Sequence, residues 1–341
     1  MISHPNFHKE YIRKFIENPP TKYTCPKCNY QIDNWEGDST TRDFIITFCF
    51  ENFASVIPFV RSIRTSKCKA RIVILADTRA TLFFEHDRFN EYYHGCDVLI
   101  LDIGHFFILN MSRGNLYQAK TYAYKEFIST YLPYIDRVFA CDLSDSLFQS
   151  DPFKNFMHQD AVFCYTENIT TAQEQETDIF SNFLGGQYWL PNTTLIVTPG
   201  VYMGSPIEII KLMDLIQTFW SICPETAAMT DQPPTTMIFY KKFYADHNIN
   251  FKTFNWCEGC SSVNVNFITN TTFGNISVLG CKKRPFYLHH SNYIPDILRS
   301  FYLQCPPKKY LSNQDYLLGL SNDELTKLYD EVMKMKKTKK K

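Results

Sequence analysis

The amino-acid sequence predicts an α/β protein built on a doubly wound, Rossmann-like, mostly parallel sheet. Three observations carry that expectation. Short apolar runs alternate with stretches of helical periodicity, the signature of strand–helix–strand units. Successive runs end in aspartate, at Asp77, Asp102 and Asp142. The chain has 341 residues and 45% hydrophobic side chains, enough for one large domain. In such sheets the crossovers are right-handed, and ligands bind beyond the carboxyl ends of the strands.

Residues 1–41 read as an irregular extension, because Pro19-Pro20, the Cys25/Cys28 pair and Asn34–Asp38 interrupt any period. The first strand starts at Asp43 and runs through Phe44–Phe50. Asn52–Ser62 is expected as helix, with Phe53, Val56, Phe59, Val60 and Ile63 at helical spacing. Strands follow at Ile72–Leu75 and Val98–Leu101, then a helix over Leu116–Tyr131, a strand at Val138–Cys141 and another at Ala161–Tyr165. Residues 170–181 are polar and read as a loop. Leu195–Val197 is a short strand leading to a turn, Pro199–Ser205. Pro206 suits the first turn of a helix, and Thr235–Tyr244 is a second helical stretch. Residues 251–281 read as short strands and turns. A capping box, Ser321–Glu324, opens a last helix before a Lys-rich tail, so that 306–341 form a C-terminal appendage to a main domain over 42–305.

Zero formal net charge gives no global attraction to nucleic acid. No apolar segment follows Met1, and no run is long enough to cross a membrane. The chain therefore reads as soluble, or as lacking its natural N-terminus. Of twelve cysteines, Cys49, Cys141 and Cys164 lie in apolar runs and are expected as buried thiols. The Cys25/Cys28 and Cys257/Cys260 pairs have zinc-knuckle spacing. In an oxidising compartment Cys257, Cys260, Cys281 and Cys305 could instead form disulfides; disulfides or free thiols are the preferred reading over zinc. Five Asn-x-Ser/Thr sequons, at Asn110, Asn168, Asn192, Asn270 and Asn275, lean towards a secretory lumen such as the Golgi or ER, whereas the absent signal leans towards the cytoplasm.

No G-x-G-x-x-G follows the first strand, and the chain has neither a G-x-x-x-x-G-K-[ST] loop nor a G-x-S-x-G elbow. Dinucleotide-binding dehydrogenases, P-loop NTPases and α/β-hydrolases are disfavoured accordingly. The most informative stretch is Ile135–Phe153. Its apolar run ends at Asp142, and Asp145 follows with no basic residue between. Two carboxylates beyond a buried strand are a candidate seat for a divalent cation, although aspartate at a strand end also serves as an ordinary turn cap.

Four blocks in one order resemble a family of nucleotide-sugar-dependent glycosyltransferases with the GT-A fold. The DxD-like block is Tyr134-Ile-Asp-Arg-Val-Phe-Ala-Cys-Asp142-Leu-Ser-Asp145-Ser-Leu-Phe-Gln-Ser-Asp151-Pro-Phe153. A G-V-x-x-G-S turn corresponds to Gly200–Ser205, a D-Q pair to Asp231-Gln232, and a strand leading to a histidine to Tyr287-Leu288-His289-His290. The resemblance covers roughly residues 42–305 and implies a nucleotide-diphospho-sugar transferase with a nucleoside diphosphate sugar as donor and a glycan, protein or other acceptor. It implies Mn²⁺ or Mg²⁺ on Asp142, Asp145 and His289, with His289 favouring Mn²⁺. It places Asp77 at the donor base or ribose, Arg113 and Lys120 at the diphosphate, Gly200 and Gly204 where the backbone approaches substrate, and Asp231 as catalytic base or sugar-orienting group. Each has an ordinary reading beside it: a turn aspartate, a solvated helix face, turn glycines and a helix cap. Three departures stand out. Ser144 replaces a basic residue, Thr198-Pro199 replace a polar approach to the turn, and His290-Ser-Asn follow His289. An inactive GT-A-like protein that binds nucleotide or glycan, or supports a partner enzyme, is the alternative, and a zinc-organised interaction protein is the third.

Overall fold

The computed structural model describes residues 7–305 except 26–27, 31–36, 51–54, 85–92, 105–112, 155–156, 158–159, 174–176, 178–181, 183, 186–187, 223–229, 263–267, 271 and 291–294. The capping box, the Lys-rich tail, Asn110 and Cys223 lie outside the described residues.

The architecture is α/β around a seven-stranded sheet. Its strands are β1 (Asp43–Cys49), β2 (Arg71–Ala76), β3 (Val98–Asp102), β4 (Arg137–Asp142), β6 (Val162–Thr170), β7 (Leu195–Gly204) and β8 (Phe251–Phe254), in the order β3-β2-β1-β4-β7-β6-β8. All are parallel except β7, which runs against both β4 and β6. Of the expected elements, the strands and helices up to β6 form as the periodicity implies, with ends shifted by a few residues. The expected loop at 170–181 begins later, because β6 runs on to Thr170.

The sheet buries both faces, which is why its strands read as continuous apolar runs. Side chains alternate across a strand. Phe44, Ile46, Val73, Leu75, Val138 and Ala140 enter one core; Ile45, Ile72, Ile74, Phe139 and Cys141 enter the other. Helices α4 (Arg113–Tyr131), α5 (Pro206–Ile222) and α6 (Gln232–Tyr240) cover the first face. Helices α2 (Val56–Thr65) and α3 (Thr78–Phe84) cover the second.

Two expectations are corrected. The segment Pro199–Ser205 is not a turn: β7 continues through it to Gly204, buried along nearly its whole length. Proline is tolerated there because β4 has already ended at Asp142, and the pairing with β6 shifts register just past Tyr165↔Thr198. The N-terminal extension is not irregular throughout. Helix α1 (Glu10–Glu17) inserts Ile12 and Ile16, four residues apart on one face, into the core below the sheet.

The cysteines resolve against zinc. Cys25 pairs with Cys96, Cys28 with Cys305 and Cys257 with Cys281. Each knuckle cysteine that pairs does so with a distant partner, and Cys260 is a buried free thiol, as are Cys49, Cys141 and Cys164. The first two disulfides tie the extension to the body at both ends of the chain, closing loops of 71 and 277 residues.

Two small sheets complete the frame, one of them β10 (Ile268–Asn270) paired antiparallel with β11 (Ser277–Val278). Strand β12 (Tyr287–His289) pairs antiparallel with β5 (Leu147–Phe148) and parallel with β9 (Cys260–Ser262). At the base of β4 the Arg137 guanidinium is buried in a bidentate pair with Asp43, both bonds 2.7 Å, and reaches Asp38 at 2.9 Å. Arg137→Ala would leave the Asp43 carboxylate buried without its partner, at a cost of about 3–5 kcal/mol. We expect thermal denaturation to show a fall in Tm of roughly 4–7 °C; a shift within about 1 °C would contradict the assignment.

Candidate metal centre

The site is assembled where β4 leaves the core. Asp142 is the first residue of that run with an open side chain, 28% exposed. A turn over 143–145 brings the chain back into β5 and sets Asp145 beside Asp142. The pairing of Tyr287 with Phe148 and Leu288 with Leu147 carries the next residue, His289, to that turn. A histidine about 145 positions away in sequence is thus placed by two-residue register on a carboxylate pair.

His289 Nε2 stands 3.8 Å from Asp142 Oδ2 and 3.6 Å from Asp145 Oδ2. The other ring nitrogen, Nδ1, is 2.9 Å from the Tyr165 hydroxyl. That contact orients Nε2 towards the carboxylates, the usual device for holding a ligating imidazole. Gly200 lies against the ring, and a Cβ there would overlap it. His290 stacks on His289 with ring centroids 3.9 Å apart. Consecutive residues of a strand point to opposite faces. His290 escapes that rule because its φ is +61°, in the left-handed region, which turns its side chain back to the site. Asp145, His289 and His290 offer ligand atoms all within 4.8 Å of one another.

Lys120, on α4, enters from the opposite wall. Its buried ammonium sits 3.0 Å from Asp142 Oδ1 and 2.9 Å from Asp231 Oδ2. Asp231 Oδ2 also accepts from the Tyr202 hydroxyl at 3.3 Å, while Oδ1 is buried and makes no hydrogen bond among the described residues. Asp142, Asp145, Asp231, His289 and His290 line an open cleft of 240 Å³ together with Glu167, Gly200 and Thr230.

Charge in the cleft is strongly coupled. Burial opposes the Lys120 charge, but Asp142 and Asp231 overcome it and hold the ammonium well above its ordinary range. Burial would raise Asp142; Lys120 and His289 reverse this and bring it down to about 2. Burial raises Asp145, which His289 pulls back and Asp142 pushes further. Burial lifts Asp231 to about 6, with Lys120 opposing. His289 is disfavoured as a cation by burial, yet Asp145 and Asp142 carry it up to about 9. His290 is pushed down to about 3 by burial and by the charge on His289, and is therefore neutral.

Of the residues singled out from sequence, Asp142, Asp145, His289, Lys120, Asp231 and Gly200 converge on the cleft. Lys120 does so between two carboxylates, so its charge is committed to them rather than presented to a diphosphate. Gly200 approaches His289. Gly204 is not at the cleft: it lies four residues further along β7, roughly 13 Å of extended chain, where its φ of +116° fits against Ala161 O. Asp77 is likewise not brought in. Its Oδ1 accepts the Ala80 amide at 2.8 Å and caps α3, the ordinary reading of a strand-end aspartate. Arg113 begins α4, and its side chain is outside the described residues. His290, Tyr165 and Tyr202 were not legible as site residues, because nothing local marks a left-handed backbone or a cross-sheet hydroxyl.

In comparison with known proteins, no family model matches the chain, and no curated protein matches it.

Three outcomes are expected. Metal binding at Nε2 must displace the His289 proton, so apparent Mn²⁺ affinity should rise about tenfold per pH unit up to pH about 9 and then level; titration calorimetry showing no rise between pH 6 and 8 would count against His289 as a ligand. In the metal-free protein the same proton contributes stability present below about pH 6.5 and lost as pH rises through about 9. Gly200→Ala, by displacing the His289 ring, should weaken Mn²⁺ at least about tenfold, the loss expected when a ligand's support is disturbed. Unchanged affinity would show that the ring is not held by this contact.

Proposed function

We propose that the protein is a metal-dependent glycosyltransferase that moves a sugar from a nucleoside diphosphate donor to a glycan, protein or other acceptor. The observation that carries this reading is the convergence of Asp142 and Asp145 on His289 Nε2, in an open cleft beyond the carboxyl end of β4.

The donor set suits a divalent cation. Two carboxylates and an oriented imidazole would hold it, and His290 stands as a second imidazole within reach. Carboxylates alone would suit Mg²⁺; adding imidazole shifts the preference to Mn²⁺. A bound cation would neutralise charge on the departing diphosphate. Lys120 favours the ionised form of Asp142, the form that ligates. Asp231 presents an oxygen with no hydrogen bond among the described residues and a pKa raised to about 6, the range of a group that accepts a proton near neutrality. It is the candidate to orient or deprotonate an acceptor hydroxyl. The three disulfides, and the exposure of Asn168, Asn192, Asn270 and Asn275, support work in an oxidising secretory lumen.

A second reading has an observation of its own. Asp231 is wholly buried and tied to Lys120, which favours a GT-A-like protein that binds nucleotide or glycan without turnover. The glycosyltransferase reading, like a nucleotide-binding protein without turnover, predicts that UDP or GDP raises Tm by roughly 5 °C at saturating concentration, only with Mn²⁺, and that Asp145→Asn removes the shift. Sugar-nucleotide consumption over an acceptor panel then separates them. Absence of a metal-dependent shift with every nucleoside diphosphate would sink the glycosyltransferase reading.

A further inference from the structure

One carboxylate of the cleft has no part in the metal set or in the Lys120 pair. Glu167, on β6, lines the cleft and is only 2% exposed. It stands two residues, about 7 Å of extended chain, beyond Tyr165, whose hydroxyl meets His289 Nδ1. The pairing of β6 with β7 shifts register between Thr166 and Thr170. Irregularities of this kind re-aim side chains beside functional sites.

No lysine or arginine pairs with Glu167 among the described residues. Its Oε1 accepts one long bond, 3.4 Å, from Gln232 Nε2, and its Oε2 accepts none among the described residues. Gln232, half-buried at the start of α6, lines the same cleft. Having given Nε2 to Glu167, it keeps Oε1 to accept. Asp231 beside it adds Oδ1, which makes no hydrogen bond among the described residues. This wall therefore offers chiefly acceptors. A buried carboxylate is tolerated when hydrogen bonds satisfy it. The ligand that completes the wall must bring donors and no negative charge, which is the chemistry of sugar hydroxyls. A ligand carboxylate placed there would face Glu167 and Asp231, and like charges so juxtaposed cost affinity.

We propose that Glu167 and Gln232 bind hydroxyl groups of the donor's sugar, so that the sugar transferred is neutral and not a uronic acid. This rests on the reading of the centre as a sugar-nucleotide site. The sugar is the group attached to the diphosphate that the metal would hold. Lys120 engages Asp142 and Asp231, and the metal set takes Asp142 and Asp145, which leaves Glu167 for the sugar.

Titration calorimetry with Mn²⁺ tests it on UDP, GDP and matched pairs of sugar nucleotides: UDP-glucose with UDP-glucuronate, UDP-galactose with UDP-galacturonate, and GDP-mannose with GDP-mannuronate. In the wild-type chain the neutral member of at least one pair should bind at least about tenfold tighter than its acid. Glu167→Gln keeps the shape and removes the charge. It should bring that ratio to within about threefold while the bare nucleoside diphosphate binds as before. Gln232→Ala should weaken the neutral donor several-fold through the loss of one acceptor. A merely structural role for Glu167 would weaken all ligands together, and that result would overturn the proposal. So would binding of UDP or GDP with no preference for the neutral sugars, or a preference that Glu167→Gln leaves unaltered; these outcomes spare the glycosyltransferase reading. Failure of both nucleoside diphosphates to bind would overturn that reading and this inference with it.

Discussion

The Lys120 ammonium is the charge on which the cleft depends. Asp142, Asp145, Asp231 and Glu167 line one small volume, and four carboxylates there would repel one another in a medium of low dielectric constant. Lys120 neutralises the pair on one side, Asp142 and Asp231, at 3.0 and 2.9 Å. Protonated His289 serves Asp142 and Asp145 on the other. Removing the lysine would leave a wholly buried Asp231 without its cation, which is the expensive direction for a buried pair. A divalent ion would replace the His289 proton without disturbing Lys120. The arrangement thus separates a permanent internal cation from an exchangeable one, and Asp142 belongs to both halves.

The backbone supports this division. β4 ends where its side chains reach solvent, and the antiparallel β7 brings Gly200 alongside its end. Only a glycine lets the His289 ring lie there. The small β5–β12–β9 sheet then fixes His289 against the Asp145 turn. Three strands from distant parts of the chain meet at one imidazole.

Much of this was legible in the residues. The alternation of apolar runs gave the α/β class, and the aspartate after Val138–Cys141 marked the open edge of the sheet. The rest was hidden for physical reasons. Pro199, Gly200 and Gly204 mimic a turn, because a proline in a strand is tolerated only at an irregularity that sequence does not announce. The zinc-like spacing of Cys25/Cys28 and Cys257/Cys260 was misleading, since disulfide partners are set by tertiary distance: Cys28 finds Cys305. Lys120 looked like a phosphate contact on a helix face. Its burial between two carboxylates depends on α4 placing it between the end of β4 and the residue before α6, which no local window contains. The placement of the His290 ring beside His289 rests on one positive φ.

The central claim is that Asp142, Asp145 and His289 seat a divalent cation shared with a nucleoside diphosphate. Crystals grown with Mn²⁺ and UDP, with data collected at the manganese absorption edge, test it most directly. The account predicts one anomalous peak about 2.0–2.3 Å from Asp145 and from His289 Nε2, contiguous with diphosphate density in the cleft. Diphosphate density there with no anomalous peak, or a peak on other residues, would contradict it.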